Sequence, residues 1–202
     1  MMSDTVLISI YATKPFADVY VDLGYAYFRK NEKEMAIKSY GEALKLNPNL
    51  EMAFYHRGRT YLQMGQMQKA ASDLTSFLKF RPHDLEILGL RAALYMNLGT
   101  FDEVIRDCPT IIKLSPNDPR GHILCGDAYN SKGLQDEALT NYSAAIKHDG
   151  YNARIYMSRG KLYVAKGMKD RAISDFQKVT ELTDDHKLRQ EAHQLLSQLG
   201  VK

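Results

Sequence analysis

The feature that most restricts what this chain can fold into is a repeat of constant pitch. Five short segments recur with a tyrosine at the end: LGYAY at 23–27, RGRTY at 57–61, RAALY at 91–95, CGDAY at 125–129 and RGKLY at 159–163. Each begins 34 residues after the one before, with no insertion or deletion. A second series keeps the same pitch: Asn31, Gly65, Gly99, Gly133 and Gly167. A third runs Ala36, Ala70, Val104, Ala138 and Ala172, and a fourth runs Pro48, Pro82 and Pro116, with Gly150 and Asp184 in the last two places. A fixed period of this length means that one supersecondary unit is copied and stacked on its neighbours.

The four series place the repeats at 17–50, 51–84, 85–118, 119–152 and 153–186. Within each, apolar residues three and four apart predict two helices; Phe54, Gly58 and Tyr61 mark a first helix, and Ala172, Phe176 and Val179 a second. The mid-repeat glycine suits a left-handed helix stop. Asp102, Asp136 and Asp170 follow at the start of second helices, where an acidic side chain suits the exposed N–H groups. Proline at the repeat end prevents the helix from continuing.

On these residues the chain resembles the tetratricopeptide repeat family over 17–186. The matching places hold a bulky residue at the fourth position, a small one at the eighth, Tyr at the eleventh, Ala at the twentieth, an aromatic at the twenty-fourth and Pro at the thirty-second. The third repeat departs with Ala92, Val104 and Cys108, and the fourth with His122 and Gly150. The resemblance implies an all-α fold: a right-handed α-solenoid of five helix-turn-helix repeats. The tail DDHKLRQEAHQLLSQLGVK adds a C-terminal capping helix over 187–202, with Leu188, Ala192, Leu195, Leu196 and Leu199 on one stripe. Residues 1–16, where Val6, Ile8 and Ile10 alternate with polar residues, are expected to be an irregular lead-in or a truncated repeat.

Arg159 stands in a first-helix stripe where an aliphatic residue is expected, and a buried unpaired charge is costly. Either it grips a ligand anion or it has a partner inside the fold. The repeats can be compared with one another: this place holds Leu23, Arg57, Arg91, Cys125 and Arg159, and sixteen residues on stand Ser39, Asp73, Asp107, Asn141 and Asp175. Arg and Asp occur in the same three repeats. The expectation is a set of structural ion pairs, Arg57–Asp73, Arg91–Asp107 and Arg159–Asp175, because the planar guanidinium fork bonds a carboxylate in two places.

No catalytic constellation is present: there is no glycine-rich phosphate loop, GxSxG or HExxH, and the six histidines form no i, i+4 metal pair. Neither enzymatic activity, a metal nor a cofactor is expected. Cys108 and Cys125 occupy core-type places on consecutive helices and read as buried thiols, with an oxidisable pair as the alternative, rather than as a disulfide framework. A formal net charge of +3 does not argue for nucleic acid. Without a membrane-length apolar run or signal peptide, the expectation is a cytoplasmic protein with no membrane insertion.

The resemblance implies a concave face lined by first helices and used to bind a protein or peptide. Its residues here are Val21, Tyr25 and Phe28; Tyr55, Arg59 and Leu62; Leu90 and Met96; Ile123, Leu124 and Asp127; and Arg154, Met157 and Lys161. Many are apolar, which suits a helical or extended peptide. Val21, Tyr25 and Leu90 stand where the family's carboxylate-clamp members carry their clamp, so no such clamp is expected. Arg120, Arg154 and Lys161 tilt the later groove positive. Self-assembly through the groove or the lead-in is the alternative.

Overall fold

The computed structural model describes residues 4–201, with side chains from Phe16 onward. The described residues form eleven α-helices and no strand, an all-α fold. They fall into two compact units, Met1–Leu98 and Gly99–Lys202. The first holds α1 (Asp4–Arg29), α2 (Lys33–Leu46), α3 (Glu51–Gln63), α4 (Met67–Phe80) and α5 (Leu85–Leu98). The second holds α6 (Phe101–Leu114), α7 (Pro119–Ser131), α8 (Gln135–His148), α9 (Ala153–Ala165), α10 (Lys169–Leu182) and α11 (His186–Gln198). Within each unit, every helix packs mainly on the one before and the one after it.

Helix ends follow the sequence punctuation. Gly65, Gly99, Gly133, Gly167 and Gly200 have φ between 70° and 81°, and Asn31 takes the same left-handed conformation at 64°. This backbone is cheap for glycine and tolerable for asparagine. Second helices stop at Leu46, Phe80 and Leu114, one residue short of the residue before proline. Asp185 caps α11 by accepting from the backbone N–H of Lys187 and Leu188.

The lead-in is helical, which sets aside the irregular one of its two expected forms. Residues 4–16 are not irregular; their backbone runs into the first repeat as part of one 26-residue helix, α1. A strand there would need an edge to pair with, and none exists among the described residues. Extending a formed helix adds one hydrogen bond per residue with no new nucleus to form. The side chains of Val6, Ile8 and Ile10 lie outside the described residues.

The hairpins α1–α2, α3–α4, α7–α8 and α9–α10 each close through a glycine on the first helix and a larger side chain on the second. Gly24 faces the ring of Tyr40, and a Cβ built there would lie 2.5 Å from it; Gly126 faces Tyr142 at 2.7 Å. Tyr40, Leu74, Tyr142, Phe176 and Val179 are almost wholly buried. In the second unit α11 lays Ala192 and Leu196 over Tyr156, Met157, Phe176 and Val179. On α1, Phe16, Val19, Tyr20 and Leu23 remain exposed along one stripe.

The cysteines also correct the sequence reading. Cys108 on α6 and Cys125 on α7 are joined in a disulfide, their Cα atoms 5.8 Å apart. Seventeen residues separate them, so they sit on consecutive helices of one unit, facing each other at a separation that a disulfide spans.

Candidate functional site

Two of the expected ion pairs stand within single units. Arg57 Nε and Nη2 donate to Asp73 at 2.7 and 2.8 Å. Arg159 Nε and Nη2 donate to Asp175, both at 2.8 Å. Each aspartate is buried and each arginine mostly so. The hydrogen bonds to aspartate hold both guanidinium groups above the ordinary arginine pKa, against the opposing pull of burial. Arg159 also lies over the rings of Tyr156 and Tyr163, and its Nη1 donates to Ser143 at 3.1 Å. Its donors are therefore committed inside the fold rather than offered to a ligand. Arg91 makes the corresponding bond to Thr75 at 3.2 Å. Arg91 and Asp107 belong to different units, and Asp107 is buried on α6.

Of the expected groove residues, the first unit brings four into one cavity. Tyr25 and Phe28 on α1 and Tyr55 and Arg59 on α3 line a space of about 330 Å³ with Tyr40, His56 and Gln63. Helical spacing explains the lining: Tyr25 and Phe28 are three apart, and Tyr55, Arg59 and Gln63 four apart, so each set shares one helix face. The rings interlock. His56 stacks on Tyr40 at 5.8 Å, meets Tyr55 edge-on at 5.1 Å, and tilts against Tyr25 at 5.5 Å. Arg59 Nη1 donates to Tyr55 Oη at 2.6 Å and lies over that ring. Val21, Leu62, Leu90 and Met96 are half-buried and lie outside the lining of this cavity.

Burial lowers the pKa of His56 below the ordinary histidine value, and the Arg59 charge lowers it further, with Asp22 opposing. Burial pushes Tyr40 up to about 12, with Tyr25 adding to the rise. The Tyr40 hydroxyl is buried and has no hydrogen-bond partner among the described residues. Sequence reasoning counted Tyr40 as a packing residue only. The missed signal was the exchange of its neighbour: Asp127 lies three repeats after Tyr25, as Tyr142 does after Tyr40.

In the second unit, Arg154, Met157 and Lys161 border an open hollow of about 380 Å³ with Ser158 and residues of α11. Two expectations change here. Met157 is 4% exposed and belongs to the core, because α11 covers it. The positive tilt is largely cancelled: Lys161 pairs with Glu191 at 2.6 Å and Arg120 with Asp118 at 2.6 Å. Ile123 and Leu124 are half-buried on α7, Ile123 against the core of this unit. Asp127 accepts a 2.6 Å hydrogen bond from Tyr142 Oη.

Comparison with known proteins shows what the chain is similar to. A family model described as TPR repeat matches residues 24–65 and 126–167. Two described as tetratricopeptide repeat match 153–186 and 52–83. Together they reach more than half of the chain. Comparison with curated proteins gives no match. Among solved structures, YrrB, described as a TPR protein with an unusual peptide-binding site, is 21% identical with a TM-score of 0.74, covering 87% of this chain and 90% of that one. MamA is 25% identical, with a TM-score of 0.70 and coverage of 82% and 90%. TTC0263, a thermophilic TPR protein of Thermus thermophilus, is 20% identical with a TM-score of 0.57, covering 89% of this chain and 98% of that one.

Proposed function

The chain belongs to the tetratricopeptide repeat family, and from that premise we propose that it is a non-catalytic scaffold that binds a polypeptide segment along its first helices, with the contact centred on the first unit. The observation that carries this reading is the cavity between α1 and α3, walled by Tyr25, Phe28, Tyr55 and His56. Tyr25 is 43% exposed although it is a large aromatic residue. Rigid aromatic side chains around a concave space supply contact area at low entropic cost, and such residues anchor interfaces. The cationic rim at Arg59 and the donor Gln63 add direction to an otherwise apolar contact.

Peptides selected on the folded chain from a random phage library test this. Replacing Tyr55 with Ala removes a cavity wall and frees Arg59 from its bond; it is expected to weaken the selected peptides by about tenfold or more, measured by fluorescence anisotropy. Unchanged affinity in a variant with an unchanged helical spectrum would move the site elsewhere.

A further inference from the structure

Tyr40 and Tyr142 are equivalent residues three 34-residue repeats apart, and both insert beneath a glycine of the preceding helix. Their surroundings correspond position by position. Around Tyr142 stand Asp127, Asn130 and Ser158; the corresponding residues around Tyr40 are Tyr25, Phe28 and His56. Asp127 accepts from the Tyr142 hydroxyl, and Asn130 and Ser158 also face it. In the first unit that carboxylate is missing from the sequence. The hydroxyl remains, buried and without a partner, in the wall of a cavity.

A buried donor without an acceptor is expensive, and native folds seldom leave one. The lining here is rich in donors. Tyr25, Tyr40, Tyr55, Gln63 and His56 can each donate as well as accept, Arg59 can only donate and is the charged member, and no carboxylate, the strongest acceptor, lines the space. Arg59 reaches Glu86 at 3.8 Å, but both are exposed and such a pair holds the guanidinium weakly. The Tyr25 ring, 43% exposed, tilts against His56, and both line the cavity together with Tyr40.

We propose that this cavity receives an aspartate or glutamate side chain of the bound polypeptide, whose carboxylate accepts from Tyr40 Oη and faces Arg59, supplying from outside the acceptor that Asp127 supplies from inside in the fourth repeat. The inference rests on the groove reading above and deepens it. The occupant is an internal acidic residue flanked by apolar ones, because the aromatic walls require contact on either side of the charge.

The probes are dodecapeptides selected by phage display on the full chain, then synthesised in C-terminally amidated and free-acid forms, labelled with a fluorophore and measured by anisotropy. The selected peptides are expected to share one Asp or Glu. Changing that residue to Asn or Gln should weaken binding about tenfold, the scale of one charge-assisted hydrogen bond. Tyr40→Phe should weaken the acidic peptide by a similar factor and the amide peptide less than twofold. Tyr25→Asp places the carboxylate inside the fold; it should raise the melting temperature in the wild-type background but not in Tyr40→Phe, and should displace the acidic peptide. If Tyr55→Ala abolishes binding while the acid-to-amide change and Tyr40→Phe leave affinity within twofold, the groove reading stands and the carboxylate inference is overturned. Binding by the free-acid forms alone, with the amidated forms silent, also overturns it, because the carboxylate would then be the peptide's C-terminus. If Tyr55→Ala changes nothing, or the library yields no binder, both readings fail.

Discussion

The same tyrosine, placed by the same repeat, is treated differently in the two units. Tyr142 is buried beneath Gly126 and bonded to Asp127 at 2.6 Å, so its polar end is accounted for within the fold. Tyr40 is buried beneath Gly24 just as deeply and its ring stacks on His56, but its hydroxyl has no partner among the described residues. The position dictates a large aromatic ring; the residue next to the glycine on the preceding helix, Asp127 or Tyr25, sets whether a carboxylate meets its hydroxyl. The lesson is that a repeat can keep its packing residue and lose that residue's partner, and the deficit then sits beside a cavity.

The largest test of this contrast concerns a buried polar group whose partner is removed by design. Asp175→Ala leaves the Arg159 guanidinium buried without its carboxylate and should cost about 3 kcal/mol or more, read by urea unfolding. Arg159→Leu added to it should recover most of that loss. A single variant as stable as wild type would show that the fold tolerates unpaired buried charge, and the contrast between the tyrosines would lose its meaning.

A smaller effect addresses the tyrosines themselves. Tyr142→Phe deprives the half-buried Asp127 of its donor and should cost about 1–2 kcal/mol. Tyr40→Phe removes a hydroxyl that bonds to nothing and should leave stability unchanged or slightly raised. Equal losses in the two variants would mean that Tyr40 Oη has a partner in solution, and would break the comparison.

The smallest effect is a pH slope belonging to the first unit alone, since the counterpart of His56 in the second unit is Ser158. His56 titrates below its unfolded value, mainly through burial and then through Arg59. The unfolded chain therefore takes up this proton first. Stability from this residue is fully present above about pH 6.5 and declines as pH falls through that value. His56→Gln should flatten the difference in melting temperature between pH 7.5 and 5.5; an unchanged slope would assign it to another group.

Much of the fold was open to reading because it is written in local terms and copied. Helix stops at Gly65, Gly133 and Gly167 need only a residue that tolerates positive φ. The partners Arg57 with Asp73 and Arg159 with Asp175 are legible because repetition lets one chain act as its own comparison. The candidate site was legible in its rim, at Tyr25, Phe28, Tyr55 and Arg59, and not in its wall. Tyr40 counts as packing in any pattern of apolar positions, since a pattern weighs the ring and is silent on the hydroxyl. Met157 shows the same gap: it has the spacing of a groove residue, and only the docking of α11 buries it.

Sequence by itself determined the helices of the repeats, their ends and the pairing of α1 with α2, α3 with α4, α7 with α8 and α9 with α10, because these follow from periodicity and from interactions within one or two turns. Tertiary structure decided what distance along the chain conceals: that Cys108 and Cys125 bond, that Lys161 is neutralised by Glu191 on α11, and that the Tyr40 hydroxyl is buried without a partner among the described residues, on a side chain that lines a cavity. Each of these depends on which side chains from separate helices converge on one point. No single helix carries that information, because the free energy of a buried polar group is set by neighbours from every helix packed around it.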